Sequence, residues 1–159
     1  MKKSSTLTLI QVLAMLFLFY NCDAQQTQKN PDLEEAKQAI AKSNAIYFES
    51  FSKGDSSIFI NRYAKDCWIM PPNAPALCGV DAPLDFFKKA YNDIGLRNGK
   101  FITIDVFGDG KEYVTEIGFW ESYDASNKLF DNGKFLVLWK KTPEGWKMYR
   151  DSFSSDGNK

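Results

Sequence analysis

The chain contains no histidine among its 159 residues. This absence removes the most common general base, the usual zinc ligand and every nucleophile pair that depends on an imidazole. Catalysis would have to use carboxylates, tyrosines, lysines or cysteines, and we expect no metal and no cofactor. The acidic turns Gly108–Gly110 and Asp131–Gly133 lack the alternating ligands of a calcium loop, so we interpret both as ordinary turns.

The chain also lacks net charge and is poor in cysteine. Twenty acidic and twenty basic residues cancel, and no predicted element carries a basic stripe, so nucleic acid is not an expected partner. Cys67 and Cys78 flank a proline-rich turn. If that turn is a symmetric hairpin centred near Pro72, the two thiols face each other within disulfide reach. Two buried, unbonded thiols are the alternative.

The first 24 residues have the pattern of a secretion signal. Met1–Lys3 is a positive n-region, Leu7–Tyr20 is an apolar core, and Cys22–Ala24 is a small-x-small cleavage site. The apolar core is shorter than the roughly 20 residues that span a bilayer. We therefore expect cleavage after residue 24, a linker over 25–30, and a secreted or periplasmic mature chain without a transmembrane anchor. A lipoprotein carrying its lipid on Cys22 is the weaker alternative.

Helical patterns dominate the first half of the mature chain. Asn30 is placed to cap a long helix that ends at Gly54, where a glycine suits the left-handed C-terminal position. Asp55 caps a shorter helix that runs to about Ala64. Asp81 caps a third helix, whose apolar residues recur at helical spacing.

Strand patterns dominate the second half and close on a hairpin. Strands are predicted over residues 67–70, 101–107, 112–123 and 135–153, the last range being interrupted by a turn at Thr142–Gly145. Helices first and strands after predict an α+β fold in one domain, residues 31–156. Three helices then cover one face of a bent antiparallel sheet.

The order of motifs is itself informative. After the first helix come Gly54-Asp55, Tyr63–Asp66, Met70–Pro72 and Gly79, and the chain closes on Gly133–Asp151 followed by Ser155-Asp156. In this order, from Leu33 to Asp156, it resembles the NTF2-like superfamily of the SnoaL-like or DUF4440 type. It is similar to the exported DUF4440 proteins of Bacteroidetes-type bacteria. The resemblance implies a cone-shaped, cystatin-like fold with a cavity between helices and curved sheet, often with a homodimer formed through the sheet.

The superfamily includes ketosteroid isomerases, which the resemblance allows us to test. Those enzymes carry a tyrosine in the first helix, a catalytic aspartate at the end of the first short strand, and a second acid in the strand before the last. Tyr47 matches the tyrosine. The aspartate position falls on Met70 or Pro71, and the second acid falls near Leu136 or Val137. With one of three roles kept, we predict that the chain is not a ketosteroid isomerase.

Matching the strands to the family predicts an aromatic pocket with two carboxylates. The expected ligand-binding residues are Tyr47, Trp68, Met70, Glu116, Trp120, Tyr149, Asp151 and Phe153. Asp151, Glu116 and Tyr47 are also the candidate catalytic residues, because two carboxylates in an apolar cone repel and raise at least one pKa. Each has a structural alternative. Asp151 could pair with Arg62, Arg150 or a backbone amide at the sheet edge. Tyr47 could be a packing residue, and a register slip of one residue would turn Glu116 outward.

Three functions remain open from the sequence. The favoured one is binding of a small, largely apolar molecule in the cone. The second is an isomerase, lyase or hydrolase of a small hydrophobic substrate, working through Asp151 or Glu116 with Tyr47. The third is a dimeric interaction module whose cone is filled by its own aromatic side chains. One scaffold hosts many chemistries, so the fold alone does not choose among them.

Overall fold

The computed structural model describes residues 30–157, so the expected signal segment, Cys22 and most of the expected linker lie outside the described residues. The helices are α1 (Pro31–Lys53), α2 (Ser56–Ile60) and α3 (Ala82–Lys88), with a π-helical turn (Lys89–Ile94) after α3. The strands are β1 (Tyr63–Met70), β2 (Leu77–Cys78), β3 (Asn98–Gly108), β4 (Tyr113–Tyr123), β5 (Leu129–Thr142) and β6 (Gly145–Ser155). In the described part of the chain, no helix combines the length and the apolar character needed to cross a membrane.

Helix α1 begins and ends where the sequence predicts. The Asn30 side chain accepts hydrogen bonds from the backbone N–H groups of Asp32 and Leu33, at 3.0 and 3.4 Å. Gly54 terminates the helix with φ of 66°, a conformation that favours glycine. The buried side of α1 packs against α2, α3 and the sheet through Ala36, Ile40, Tyr47, Phe48 and Phe51.

The two shorter helices differ from the expected ones. Helix α2 ends at Ile60 instead of Ala64, because the chain already enters β1 at Tyr63 and pairs there with Met148. Helix α3 begins where predicted, but the Asp81 side chain makes no capping hydrogen bond. The chain then continues through the π-helical turn before β3.

The strands form one sheet in the order β2-β1-β6-β5-β4-β3. Neighbours are antiparallel except β1 and β6, which are parallel. The sheet is curved, and shifts of register interrupt four of the five strand pairs, a feature that bends and twists strands. The helices cover the concave face. The predicted α+β fold, with three helices on a curved and mostly antiparallel sheet, is confirmed.

The expected turn at Asp131–Gly133 is wrong, because β5 runs straight through it. Gly133 pairs with Trp120 of β4 and Ser155 of β6. A Cβ atom there would collide with the Ser154 carbonyl oxygen and lie 3.0 Å from the Trp120 indole nitrogen. The glycine therefore permits a close approach of the β6 backbone, and secondarily of the Trp120 indole, which is a second use of glycine besides turning the chain.

The possible disulfide is not formed, and both cysteines are free thiols. The register of β1 and β2 sets Trp68 opposite Cys78, one residue away from the symmetric hairpin that the prediction required. Alternate residues of a strand face opposite sides, so Cys67 is buried while Cys78 is exposed. The Cys67 sulfur lies 3.5 Å from the Gly79 carbonyl oxygen.

Candidate functional site

A cavity of about 550 Å³ lies between the helices and the concave face of the sheet. Its wall is mostly aromatic, and the residues that supply the rings are Tyr47, Phe48, Phe86, Phe101, Trp120, Phe130, Phe135 and Phe153. The segment Pro71–Pro75 forms part of the wall, together with the exposed Lys89 and the half-buried Asp131. Size and lining fall within the range of small-molecule sites. Sequence reasoning found Tyr47, Trp120 and Phe153 but missed the other rings.

A glycine in β4 makes room for one of these rings. A Cβ atom on Gly118 would lie 2.7 Å from the Phe135 ring, and Phe135 is the residue that pairs with Gly118 on β5. The Phe135 ring therefore occupies space that a side chain on β4 would need. A glycine within a strand pattern is the sequence signal that could have revealed this close approach.

A bulge in β6 decides which of its residues enter the cavity. Leu138 pairs with Arg150 but the next residue, Trp139, pairs with Met148, so Tyr149 is an extra residue. Met148 and Asp151 are therefore both buried on the concave side, although strict alternation would separate them. Asp151 lines the cavity. The expectation that Tyr149 lines it too is wrong.

Tyr149 instead lies against residues outside the cavity. The guanidinium of Arg150 stacks 3.5 Å from the centre of the Tyr149 ring, and the Tyr113 ring lies 5.8 Å away. Trp68 and Met70 were also expected in the site and are not among the cavity-lining residues. Trp68 is 43% exposed, because it stands one residue after the buried Cys67 on β1.

Asp151 is the buried carboxylate of the cavity wall. Tyr63 donates a hydrogen bond to its Oδ2 atom at 2.7 Å, and no other donor in residues 30–157 reaches the carboxylate. Burial raises the pKa of Asp151 to about 6, and the charge of Glu116 adds to the effect. The Tyr63 hydrogen bond and the charge of Arg62 oppose it. Tyr47, which also lines the cavity, has a pKa well above its ordinary value because of burial and the nearby Asp151.

Glu116 points inward but does not line the cavity. Its Oε1 atom accepts hydrogen bonds from Asn44 and Thr103, at 2.7 and 2.6 Å, and Oε2 accepts one from the Trp139 indole at 3.0 Å. Burial raises its pKa, and these donors hold the shift back. All its hydrogen bonds go to α1, β3 and β5, so the expected pair of carboxylates within one pocket is not formed.

The two carboxylates are nevertheless neighbours in the sheet. Glu116 pairs with Val137, which pairs with Asp151 on its other side. Two strand spacings separate their backbones by roughly 10 Å. The electrostatic effect of Glu116 on Asp151 follows from this shared row, since an apolar interior screens charges poorly.

Arg62 lies close to both carboxylates and interacts with their charges. No motif in the sequence predicts this position. The side chain is buried, donates from Nη1 to the Ser43 carbonyl oxygen, and has its Cζ atom 5.2 Å from the centre of the Tyr47 ring. Within the described residues, its Nε and Nη2 atoms have no hydrogen-bond partner. Burial lowers its pKa to about 10, while the surrounding acids favour its charge. The sequence indicated Arg62 only as one possible partner of Asp151.

Metal binding finds no support in this part of the molecule. Residues 30–157 contain no group of three or more cysteine, aspartate or glutamate side chains that could hold an ion. The groups of the cavity wall with acid–base or hydrogen-bonding chemistry include Asp151 and the phenol of Tyr47, and aromatic faces surround them.

No family model and no curated protein matches the chain. Solved structures do. An NTF-2 like protein of unknown function from Shewanella oneidensis is 20% identical with a TM-score of 0.63, covering 74% of this chain and 98% of that one. A ketosteroid isomerase-like protein from Erwinia carotovora atroseptica is 18% identical with a TM-score of 0.64, covering 81% and 99%.

A third similar structure is a domain of unknown function with a cystatin-like fold from Nostoc punctiforme. It is 12% identical with a TM-score of 0.66, and the match covers 77% of this chain and 78% of that one. The TM-scores of these matches show a shared architecture, whereas identities of 12–20% leave the activity open. The chain has the NTF2-like, or cystatin-like, fold.

Proposed function

We propose that this domain binds a small, largely apolar molecule in its cavity, with Asp151 as the polar anchor. The observation that carries the proposal is an aromatic cavity of about 550 Å³ with a buried carboxylate in its wall. The aromatic rings supply apolar contact, and the carboxylate orients the ligand through a hydrogen bond. The protein's own side chains leave this volume unfilled, which counts against the rival hypothesis of a cone packed with aromatic side chains.

Native mass spectrometry of the chain purified from its own host tests this proposal. We expect a retained small molecule that is released on unfolding. Ala74→Trp places an indole in the cavity wall and should abolish retention. Ala76→Trp is the matched control, because Ala76 is exposed and does not line the cavity. Equal retention in both variants, or a ligand-free wild type that binds no apolar probe in titrations, would contradict the proposal.

A second candidate function is catalysis of proton transfer by the same carboxylate. The observation that favours it is the burial of Asp151 in the cavity wall, which raises its pKa to about 6, close to the value at which a general base works best near neutral pH. Tyr47 lines the same cavity and keeps its proton, so it could donate a hydrogen bond to a developing oxyanion. An isomerase, lyase or hydrolase of this kind would lose turnover in Asp151→Asn while still binding its substrate. Turnover that survives this substitution rules the candidate out.

We also propose that the domain forms a homodimer through the outer face of the sheet. Four large apolar side chains that the strand register places on this face are exposed: Ile102, Phe107, Phe119 and Leu136. Clusters of this kind usually mark an interface. Leu136→Lys should shift the mass measured by light scattering to that of a monomer, whereas Ala125→Lys in the exposed β4–β5 loop should not. A monomeric wild type at micromolar concentration would contradict the proposal.

Export and the finer family assignment complete the proposed function. We propose that residues 1–24 are cleaved, that the domain over 31–156 is secreted or periplasmic, and that it belongs to the SnoaL-like or DUF4440 type. The charged start and apolar core of the sequence support cleavage. N-terminal sequencing of the exported protein should give Gln25 as the first residue. A mature chain that begins at Cys22 would indicate a lipoprotein instead.

A further inference from the structure

The buried charges of the domain do not balance. In the described part of the chain, the buried charged side chains are Arg62, Glu116 and Asp151. One guanidinium therefore faces two carboxylates, which leaves one negative charge in excess when all three are ionised. A buried charge without a counter-ion is costly, and the cost is removed either by a proton or by a positive partner.

The two carboxylates are not equally placed to receive that partner. Both oxygens of Glu116 accept hydrogen bonds from protein donors, and it does not line the cavity. Asp151 has a donor at Oδ2 only, from Tyr63, and it does line the cavity. Its Oδ1 atom is therefore the acceptor that a ligand can use.

The surroundings of Asp151 suit a cation better than a neutral donor. Phe153, two residues along β6, lines the same cavity, and Phe135 pairs with it on β5. Tyr47 lines the cavity from α1. Aromatic faces attract ammonium groups through their quadrupoles, most strongly where water is excluded. An anion would meet the same faces and the excess negative charge, and both disfavour it.

We infer that the cavity takes an apolar molecule with one positive charge, an alkylammonium or arylalkylammonium, whose ammonium group contacts Asp151 Oδ1 and the rings beside it. The inference rests on the proposed binding function and specifies its ligand class. The apolar body of the molecule then occupies the aromatic cavity. Lys89 and Asp131 also line the cavity, but they have opposite signs and are more accessible to water, so their net effect on an incoming charge is small.

A matched pair of probes tests the inference. 4-Phenylbutylamine and 4-phenylbutan-1-ol share one skeleton and differ in the charge of the terminal group. Calorimetric titration of the full mature chain at pH 7.5 should give the amine about tenfold higher affinity, which corresponds to about 1.4 kcal/mol. Asp151→Asn should bring the ratio close to one. Asp66→Asn removes an equal charge from an exposed position that is paired with Lys140, and should leave the ratio unchanged.

The pH dependence of the ratio gives a second readout. Asp151 is faced by Tyr47 of α1, by Arg62, by Tyr63 and Cys67 of β1, and by Glu116 of β4. Of these groups, only the carboxyls titrate in the acid range. The amine stays protonated throughout, so its advantage should decline as the pH falls through about 6, where Asp151 gains its proton.

The possible outcomes separate the inference from the function on which it rests. If the alcohol binds as tightly as the amine, or if Asp151→Asn keeps the tenfold ratio, the inference is overturned and apolar binding stands. If neither probe binds at millimolar concentration, both are overturned. Tighter binding of the amine that disappears in Asp151→Asn and at low pH, but not in Asp66→Asn, supports both.

Discussion

Replacing Asp151 with asparagine should stabilise the domain at neutral pH and leave it nearly unchanged at pH 4. The side chain is buried, and its pKa rises from 3.8 to about 6 on folding. The folded state therefore binds more protons than the unfolded state between these values. By linkage, wild-type Asp151 lowers the free energy of unfolding as the pH rises through this window.

The size of the effect follows from the shift. A change of this size corresponds to about 3 kcal/mol above pH 6, at about 1.4 kcal/mol per pKa unit. Asparagine keeps an acceptor for Tyr63 but brings an amide that needs its own partners, which costs on the order of 1 kcal/mol. We expect a net gain of about 2 kcal/mol at pH 7, or a rise in Tm of roughly 6 °C for a domain of this size.

Urea denaturation of both proteins, followed by tryptophan fluorescence at each pH unit from 4 to 8, measures this effect. The difference between variant and wild type should grow between pH 4 and 6 and then stay level. Other carboxyls cancel in that difference because they are common to both proteins. A difference that is independent of pH would refute the assignment of a raised pKa to Asp151.

Glu116→Gln serves as the contrasting variant in the same experiment. Its carboxylate accepts three hydrogen bonds, from Asn44, Thr103 and Trp139. An amide can keep at most the bonds to its single oxygen and turns its N–H groups toward a donor. We expect a loss of about 2–4 kcal/mol at pH 7. A gain in both variants would mean that buried negative charge is costly at either position, whatever its hydrogen bonds.

Three further predictions concern the strands and the helix cap around the site. Native alkylation followed by peptide mapping should label the exposed Cys78 and spare Cys67, which is buried and whose pKa burial raises to about 11; equal labelling of both would contradict the β1–β2 register. Gly133→Ala should lower the free energy of unfolding by about 3 kcal/mol, measured in urea, because its Cβ atom collides with the Ser154 carbonyl oxygen; a neutral effect would show that β5 can shift. Asn30→Ala should cost about 1 kcal/mol through loss of the α1 cap, and an unchanged Tm would contradict that cap.

Local patterns predicted much of the fold because they depend on neighbouring residues alone. The capping of α1 by Asn30 and its end at Gly54 follow from hydrogen bonds and φ values within one turn. The alternation of β4, which buries Glu116 and Trp120 while Phe119 stays exposed, follows from the two-residue period of a strand. Tyr47 on the buried side of α1 follows in the same way from helical spacing.

The errors arose where two elements had to be aligned. Tyr149 was placed in the cavity because strict alternation was assumed along β6, whereas the bulge opposite Leu138 and Trp139 moves it out and turns Asp151 inward together with Met148. The register of β1 against β2, which separates Cys67 from Cys78, is a choice of the same kind. The sequence of one strand does not specify which residue of the neighbouring strand each of its residues will pair with.

By itself, the sequence determined the class of elements, their order and the alternation of β4, because these depend on contacts within a few residues of one another. It also determined that any acid–base chemistry here takes place without histidine. Only the tertiary structure decided that Arg62 comes close to both Glu116 and Asp151, and that one of those carboxylates lines a cavity while the other is enclosed by donors. These groups come from the segment before β1 and from strands β4 and β6. The excess negative charge exists only because the sheet places Glu116 and Asp151 in one row across β4, β5 and β6.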